Sequence, residues 1–173
     1  MIAIGISGRE RDASAALVLQ VLEGRDGPAT RVVLANGGLP TGIGAVPKAF
    51  KVWRAFARFS PWFPIGRIVN SGCANKLSPA EIAAYDAPFP SGRHRVAARL
   101  FPTFVPVSPN DPERAANEQA WEVLKQWHKP FLTLFSSRDP ITRGGERVFQ
   151  KRVPGAAGQP HAITRGAGHF LQE

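Results

Sequence analysis

Asp139 and His169 are the two residues of this chain whose types and settings suit proton transfer. Asp139 follows an apolar, β-rich run over residues 129–135, which Ser136-Ser137-Arg138-Asp139-Pro140 stops with turn chemistry. His169 follows a second short run over 160–164 and lies in Arg165-Gly166-Ala167-Gly168-His169-Phe170, where glycines let the backbone come close to a neighbouring loop. A carboxylate and an imidazole on adjacent loops at the carboxyl edge of a parallel sheet form the orienting half of a catalytic triad. The acid holds the ring tautomer while the ring takes a proton. The alternative is that Asp139 only caps the next helix in an Asp-Pro turn and that His169 is a surface-loop residue.

The elements needed to bring the pair together can be read around them. Residues 145–151 have a helical pattern, turned off by Val153-Pro154-Gly155, so strand, helix and strand should put both loops on one sheet edge. Residues 30–36, Thr-Arg-Val-Val-Leu-Ala-Asn, are β-branched and end in Gly37-Gly38, which fits an interior parallel strand. Residues 1–7 allow a short strand, 13–22 an apolar helix and 24–28 a turn.

Between these strands the chain is helical and broken by proline. Residues 47–59 carry Phe50, Trp53, Phe56 and Ala57 against Lys51, Arg54 and Arg58, the pattern of an amphipathic helix. Trp53 points inward on it, either as a core aromatic or as an indole N–H donor aimed into a cavity. Ser60-Pro61-Trp62-Phe63-Pro64 breaks this helix before a short one over 65–70. Ser78-Pro79-Ala80-Glu81 is a capping box that opens a helix to about Tyr85. A further helix is expected over 91–101, ended by Pro102. Asp111-Pro112-Glu113 should cap another that ends near Trp127. Short helices inserted between strands suggest a lid, a common carrier of specificity.

Composition narrows the classes. The 173 residues suit one domain with its own core, and 43% apolar against 20% charged residues is a globular balance. No apolar run reaches spanning length, and the first residues make a poor signal peptide, so a cytoplasmic location is expected. Cys73 is the only cysteine, and His94, His128, His161 and His169 lack ligand spacing, so neither metal nor cofactor is expected. The net charge of +9 raises the possibility of nucleic acid. Its arginines are scattered, without a basic run or binding motif, and we expect neither nucleic-acid nor membrane partners.

Several separated motifs, in order, resemble the haloalkane dehalogenases of the α/β-hydrolase fold. They are Arg31-Val32-Val33-Leu34-Ala35-Asn36-Gly37, Tyr85-Asp86-Ala87-Pro88-Phe89-Pro90, Lys129-Pro130-Phe131-Leu132, Arg138-Asp139-Pro140-Ile141 and Gly168-His169-Phe170-Leu171-Gln172-Glu173. The resemblance implies a partial α/β-hydrolase fold: a mostly parallel sheet with an inserted helical cap. It divides the chain into an N-terminal core remnant over 1–43, a cap over 44–116 and a C-terminal core part over 117–173. It also implies the carboxyl-terminal part of a longer enzyme, with poor independent stability.

In that family an aspartate displaces halide in line and forms an alkyl ester, which a histidine-activated water hydrolyses. By resemblance His169 is the base, Asp139 its orienting acid, and Trp53 a donor to the departing halide. A halogenated alkane and water are the implied partners. The family's Gln-Asp-Trp-Gly nucleophile elbow does not occur here, nor does Gly-x-Ser-x-Gly. Asp12 lies at about the right distance before Arg31, but Arg11, Ala13 and Ser14 surround it without the indole and glycines an elbow needs. The competing expectation is a non-catalytic remnant or accessory chain of the same fold.

Overall fold

A computed structural model describes residues 30–173; the strand expected over 1–7, the helix over 13–22, the turn over 24–28 and Asp12 lie outside the described residues. Three strands, β1 (Val32–Ala35), β2 (Phe131–Ser136) and β3 (Ala162–Thr164), form one sheet in the order β1-β2-β3. Both pairings are parallel, with Val32 opposite Phe131 and Leu134 opposite Ala162. Parallel strands end on the same side, so the loops that leave β1, β2 and β3 meet at one sheet edge. This is the arrangement expected from the strand-helix-strand pattern.

The core lies on one face of β2. α5 (Arg114–Leu124) and α6 (Glu146–Arg152) bring Ala120, Trp121, Leu124 and Phe149 against Phe131, with Trp127, Val153 and Ala156 around them. Trp121 and Phe149 stack at 4.9 Å between ring centres, a favourable geometry beyond area burial alone. The Trp121 indole donates to Leu39 O at 2.7 Å and Asn117 Nδ2 to Pro40 O at 2.6 Å, so α5 is tied to the segment that follows β1.

The inserted helices build a second, separate cluster. α1 (Lys48–Phe59) buries Ala57, α2 (Ile65–Gly72) buries Ile65, Gly66 and Val69, and Phe63 and Cys73 complete the buried set. Trp53, Phe56 and Phe63 stack in a trio with centres 5.8–6.0 Å apart. α3 (Pro79–Asp86) begins with the expected capping box. Ser78 Oγ accepts from Glu81 N at 3.3 Å, and Glu81 Oε2 accepts from Ser78 N at 2.6 Å. The Asp86 carboxylate accepts from Gly66 N at 2.9 Å, where α2 begins.

β1 pairs with β2 on one side and with no described strand on the other, and its first three residues are half-buried. Two expectations need correction. Residues 91–101 do not form one helix. A 3-10 turn over Gly92–Arg95 precedes the five-residue α4 (Val96–Leu100), and Pro102 continues the chain into a second 3-10 turn, Phe101–Phe104. Proline is tolerated there because the first turn does not use its missing N–H. Asp111 does not cap α5, which starts without a side-chain cap and ends at Leu124. Its carboxylate turns back to accept from Val107 N and Ser108 N, at 2.6 and 2.8 Å, with Arg54 at 3.8 Å.

Candidate active site

β2 carries the acid loop. The strand ends at Ser136, and three residues later Asp139 is 1% exposed. Asp139 makes the expected Asp-Pro turn but does not cap the next helix: the N-cap residue of α6 is Gly145, and that helix starts without a side-chain cap. Oδ1 accepts from Ile141 N at 2.8 Å, closing the Asp-Pro turn. Oδ2 accepts from Thr142 Oγ1 and from His169 Nδ1, the latter at 2.9 Å. Burial opposes ionisation of this carboxyl, but the donors on His169, Thr142 and Ile141 together outweigh it and hold the pKa down at about 2. The acid is therefore an acceptor at neutral pH, and His169 Nδ1 must carry the proton between them.

The imidazole presents its other nitrogen outward. The His169 side chain is 35% exposed while that of Asp139 is fully covered, which leaves Nε2 as the accessible proton acceptor. Backbone bonds zip the two loops together: Ser137 N donates to Thr164 O at 3.1 Å and Arg138 N to Ala167 O at 3.2 Å. Gly166, at φ +81°, has the left-handed backbone that favours glycine, and its N–H donates to Ser137 Oγ at 2.9 Å.

The inserted helices hold the other side of the histidine. His169 N donates to Gly72 O, at the end of α2, at 2.8 Å. A Cβ on Gly168 would collide with that carbonyl oxygen and stand 2.9 Å from Ala74 N, so the approach requires glycine. Phe170 packs edge-on against the His169 ring, 5.2 Å between centres, and reaches the helical cluster that contains Trp53. The Tyr85 hydroxyl of α3 donates to Glu173 Oε1, which binds the chain beyond the histidine to the same helices.

Trp53 lines a groove of about 290 Å³ together with Phe56, Trp62, Pro64, Arg67, Ile68 and Ser71. Trp53 and Phe170 pack against the same cluster, but neither Asp139 nor His169 lines the groove, so the structure does not bring Trp53 to the Asp139–His169 pair. Among the described residues no group of three His, Cys, Asp or Glu side chains could hold a metal, and no helix is long and apolar enough to cross a membrane.

Two residues escaped the sequence reading. Asn36 has a positive φ of 40° and bonds both loops, and its position before Gly37-Gly38 at a strand end was the available signal. Thr142 completes the Asp139 shell; only its spacing of three from the aspartate marked it.

No protein-family model matches the chain. It is 53% identical over 143 residues to a haloalkane dehalogenase of Mycobacterium marinum, which covers 83% of this chain and 48% of that protein. Over the same length it is 52% identical to a haloalkane dehalogenase of Mycolicibacterium paratuberculosis, covering 47% of that protein. The chain thus spans about half the length of the curated relatives it matches. The structure also superposes on a tetrameric haloalkane dehalogenase from Paraglaciecola agarilytica, with a TM-score of 0.73 at 20% identity, over 92% of this chain and 53% of that one. The fold is accordingly a partial α/β-hydrolase fold, as the motifs implied.

Proposed function

We propose, from a chain homologous to haloalkane dehalogenases over 143 residues, that it serves hydrolytic cleavage of carbon–halogen bonds and contributes the acid, the base and the cap. The observation that carries this reading is the 2.9 Å bond from His169 Nδ1 to Asp139 Oδ2, with the far side of the ring accessible. We keep the division that the resemblance implies, a core remnant over 1–43, a helical cap over 44–116 and a C-terminal core part over 117–173, although its second boundary falls inside α5 (Arg114–Leu124). The substrate is a halogenated alkane and the second reactant is water, in the cytoplasm.

The chemistry requires a carboxylate that attacks the halogen-bearing carbon from behind. The carbon–halogen bond breaks as the carbon–oxygen bond forms, leaving halide and an alkyl ester. His169 Nε2 then takes a proton from water, whose oxygen attacks the ester carbonyl and releases the alcohol. Asp139 stays ionised and stabilises the transient imidazolium. Trp53 is assigned as the N–H donor to the departing halide, supported by its place on a groove lined largely by apolar side chains. The attacking carboxylate is unassigned, since the sequence has no Gln-Asp-Trp-Gly elbow.

That gap supports a second reading, a non-catalytic chain that keeps the fold. Bromide release from a short 1-bromoalkane separates the two. Release by the purified chain that disappears in His169→Ala supports the enzyme, and Asp12→Asn tests the one aspartate at the family spacing. No release, with the fold intact, favours the non-catalytic reading.

A further inference from the structure

We propose that Asn36 is a positioning residue that sets the separation of Asp139 and His169 by tying the start of the acid loop to the backbone of the base loop. Its amide has two working ends. Oδ1 accepts from Ser136 N at 2.8 Å, at the last residue of β2 before the turn to Asp139. Nδ2 donates to His169 O at 2.7 Å, with Gly168 O at 3.1 Å and Ser136 Oγ at 2.7 Å as further acceptors. The orientation of the amide is determined by these partners. Two carbonyl oxygens require the NH₂ end, and a backbone N–H requires the oxygen end.

The backbone of Asn36 explains how a residue on β1's loop reaches both. Asn36 N donates to Leu134 O at 3.1 Å, which continues the β1–β2 ladder one step beyond β1. Its φ of 40° then turns the chain out of the strand direction. Asparagine tolerates this left-handed conformation better than other residues with a side chain, and glycine, which tolerates it best, would supply no amide.

His169 is consequently held at three points by three segments. Asn36 holds its carbonyl, Gly72 its amide and Asp139 its ring. Removal of the ring's partner would leave the backbone in place. Removal of Asn36 would leave the ring's partner in place while releasing the distance between the two loops. This inference rests on His169 being the base, but its test reads the geometry of the pair and not turnover.

In the unmodified chain, the Asn36 carboxamide protons should exchange with solvent far more slowly than those of the exposed Asn75 and Asn110, as measured by NMR. In Asn36→Gly, which permits the positive φ and deletes only the amide, the His169 Nδ1 proton should exchange about fivefold faster or more, the effect of losing one ordinary hydrogen bond. The ring of His161, held by Thr133 and Ala156, should be unchanged and serves as the internal reference. Fast exchange of the Asn36 carboxamide in the unmodified chain overturns the proposal. So does a folded Asn36→Gly whose His169 Nδ1 proton exchanges as before. If the variant does not fold, the carboxamide measurement decides. An intact Asn36 effect without bromide release would remove the proposed function and leave the positioning role standing.

Discussion

The His169 amide bonds the Gly72 carbonyl at 2.8 Å, so the loop that bears the imidazole is fastened to the end of α2 as well as to the sheet. Gly168 lies against the same carbonyl with no room for a side chain. The inserted helices and the loop that bears His169 are thus parts of one packed unit, and Phe170 and Glu173 extend the contact to the helical cluster and Tyr85.

Gly168→Ala should separate them. The added methyl must displace backbone at Gly72 and Ala74, and overpacking of this kind costs roughly 1–3 kcal/mol. Denaturant unfolding should show that loss, with faster exchange of the His169 amide; an amide still protected at parental levels would mean that the contact adapts freely.

Asp139→Asn should remove a pH-dependent part of stability. The folded pKa of about 2 lies below the ordinary 3.8, so ionised Asp139 stabilises the fold above its unfolded value, and this contribution is lost as pH falls from 3.8 toward 2. The shift corresponds to about 2 kcal/mol. Urea midpoints between pH 2 and 6 should therefore rise more steeply for the parent than for Asp139→Asn. Parallel curves would show that the carboxylate's bonds contribute nothing net.

His169→Ala should arrest the proposed reaction after the first displacement, since carboxylate attack does not use the base. Loss of a positioned base lowers turnover by roughly 10²–10⁴-fold. Intact-protein mass spectrometry after bromoalkane treatment should then find an alkyl adduct in the protein that turns over. An unmodified mass would remove His169 from the hydrolytic step.

Trp53→Phe should weaken halide binding while keeping the aromatic stack on Phe56 and Phe63. One lost donor to an anion costs on the order of 1.5–3 kcal/mol, about ten- to a hundredfold in affinity. Bromide titration followed calorimetrically gives the ratio; equal affinities would return Trp53 to a packing role.

Much of this molecule was legible in one dimension. The run over 129–135 and its Asp-Pro turn appear as β2 and the buried Asp139, and Ser78-Pro79-Ala80-Glu81 appears as the capped start of α3. These features depend on residues within a few positions of one another, so local chemistry suffices. The helix expected over 91–101 failed because 3-10 turns at both ends were favoured over a continuous α-helix, a choice local propensity resolves poorly. Asp111 was assigned to the helix ahead of it, whereas its carboxylate found Val107 and Ser108 behind it. Asx side chains can bond in either direction along the chain, and only the completed turn selects one.

The helical insertion, the parallel strands and the two loops that bear Asp139 and His169 are readable in the order of residues, because patterning, turn residues and motif order all lie along the chain. Folding alone brings Asn36 across 100 positions to Ser136 and 133 to His169, and sets Gly72 against Gly168. Such contacts carry no periodic signal. They arise when separate segments are packed closely enough for one amide or one missing methyl to set the distance between them.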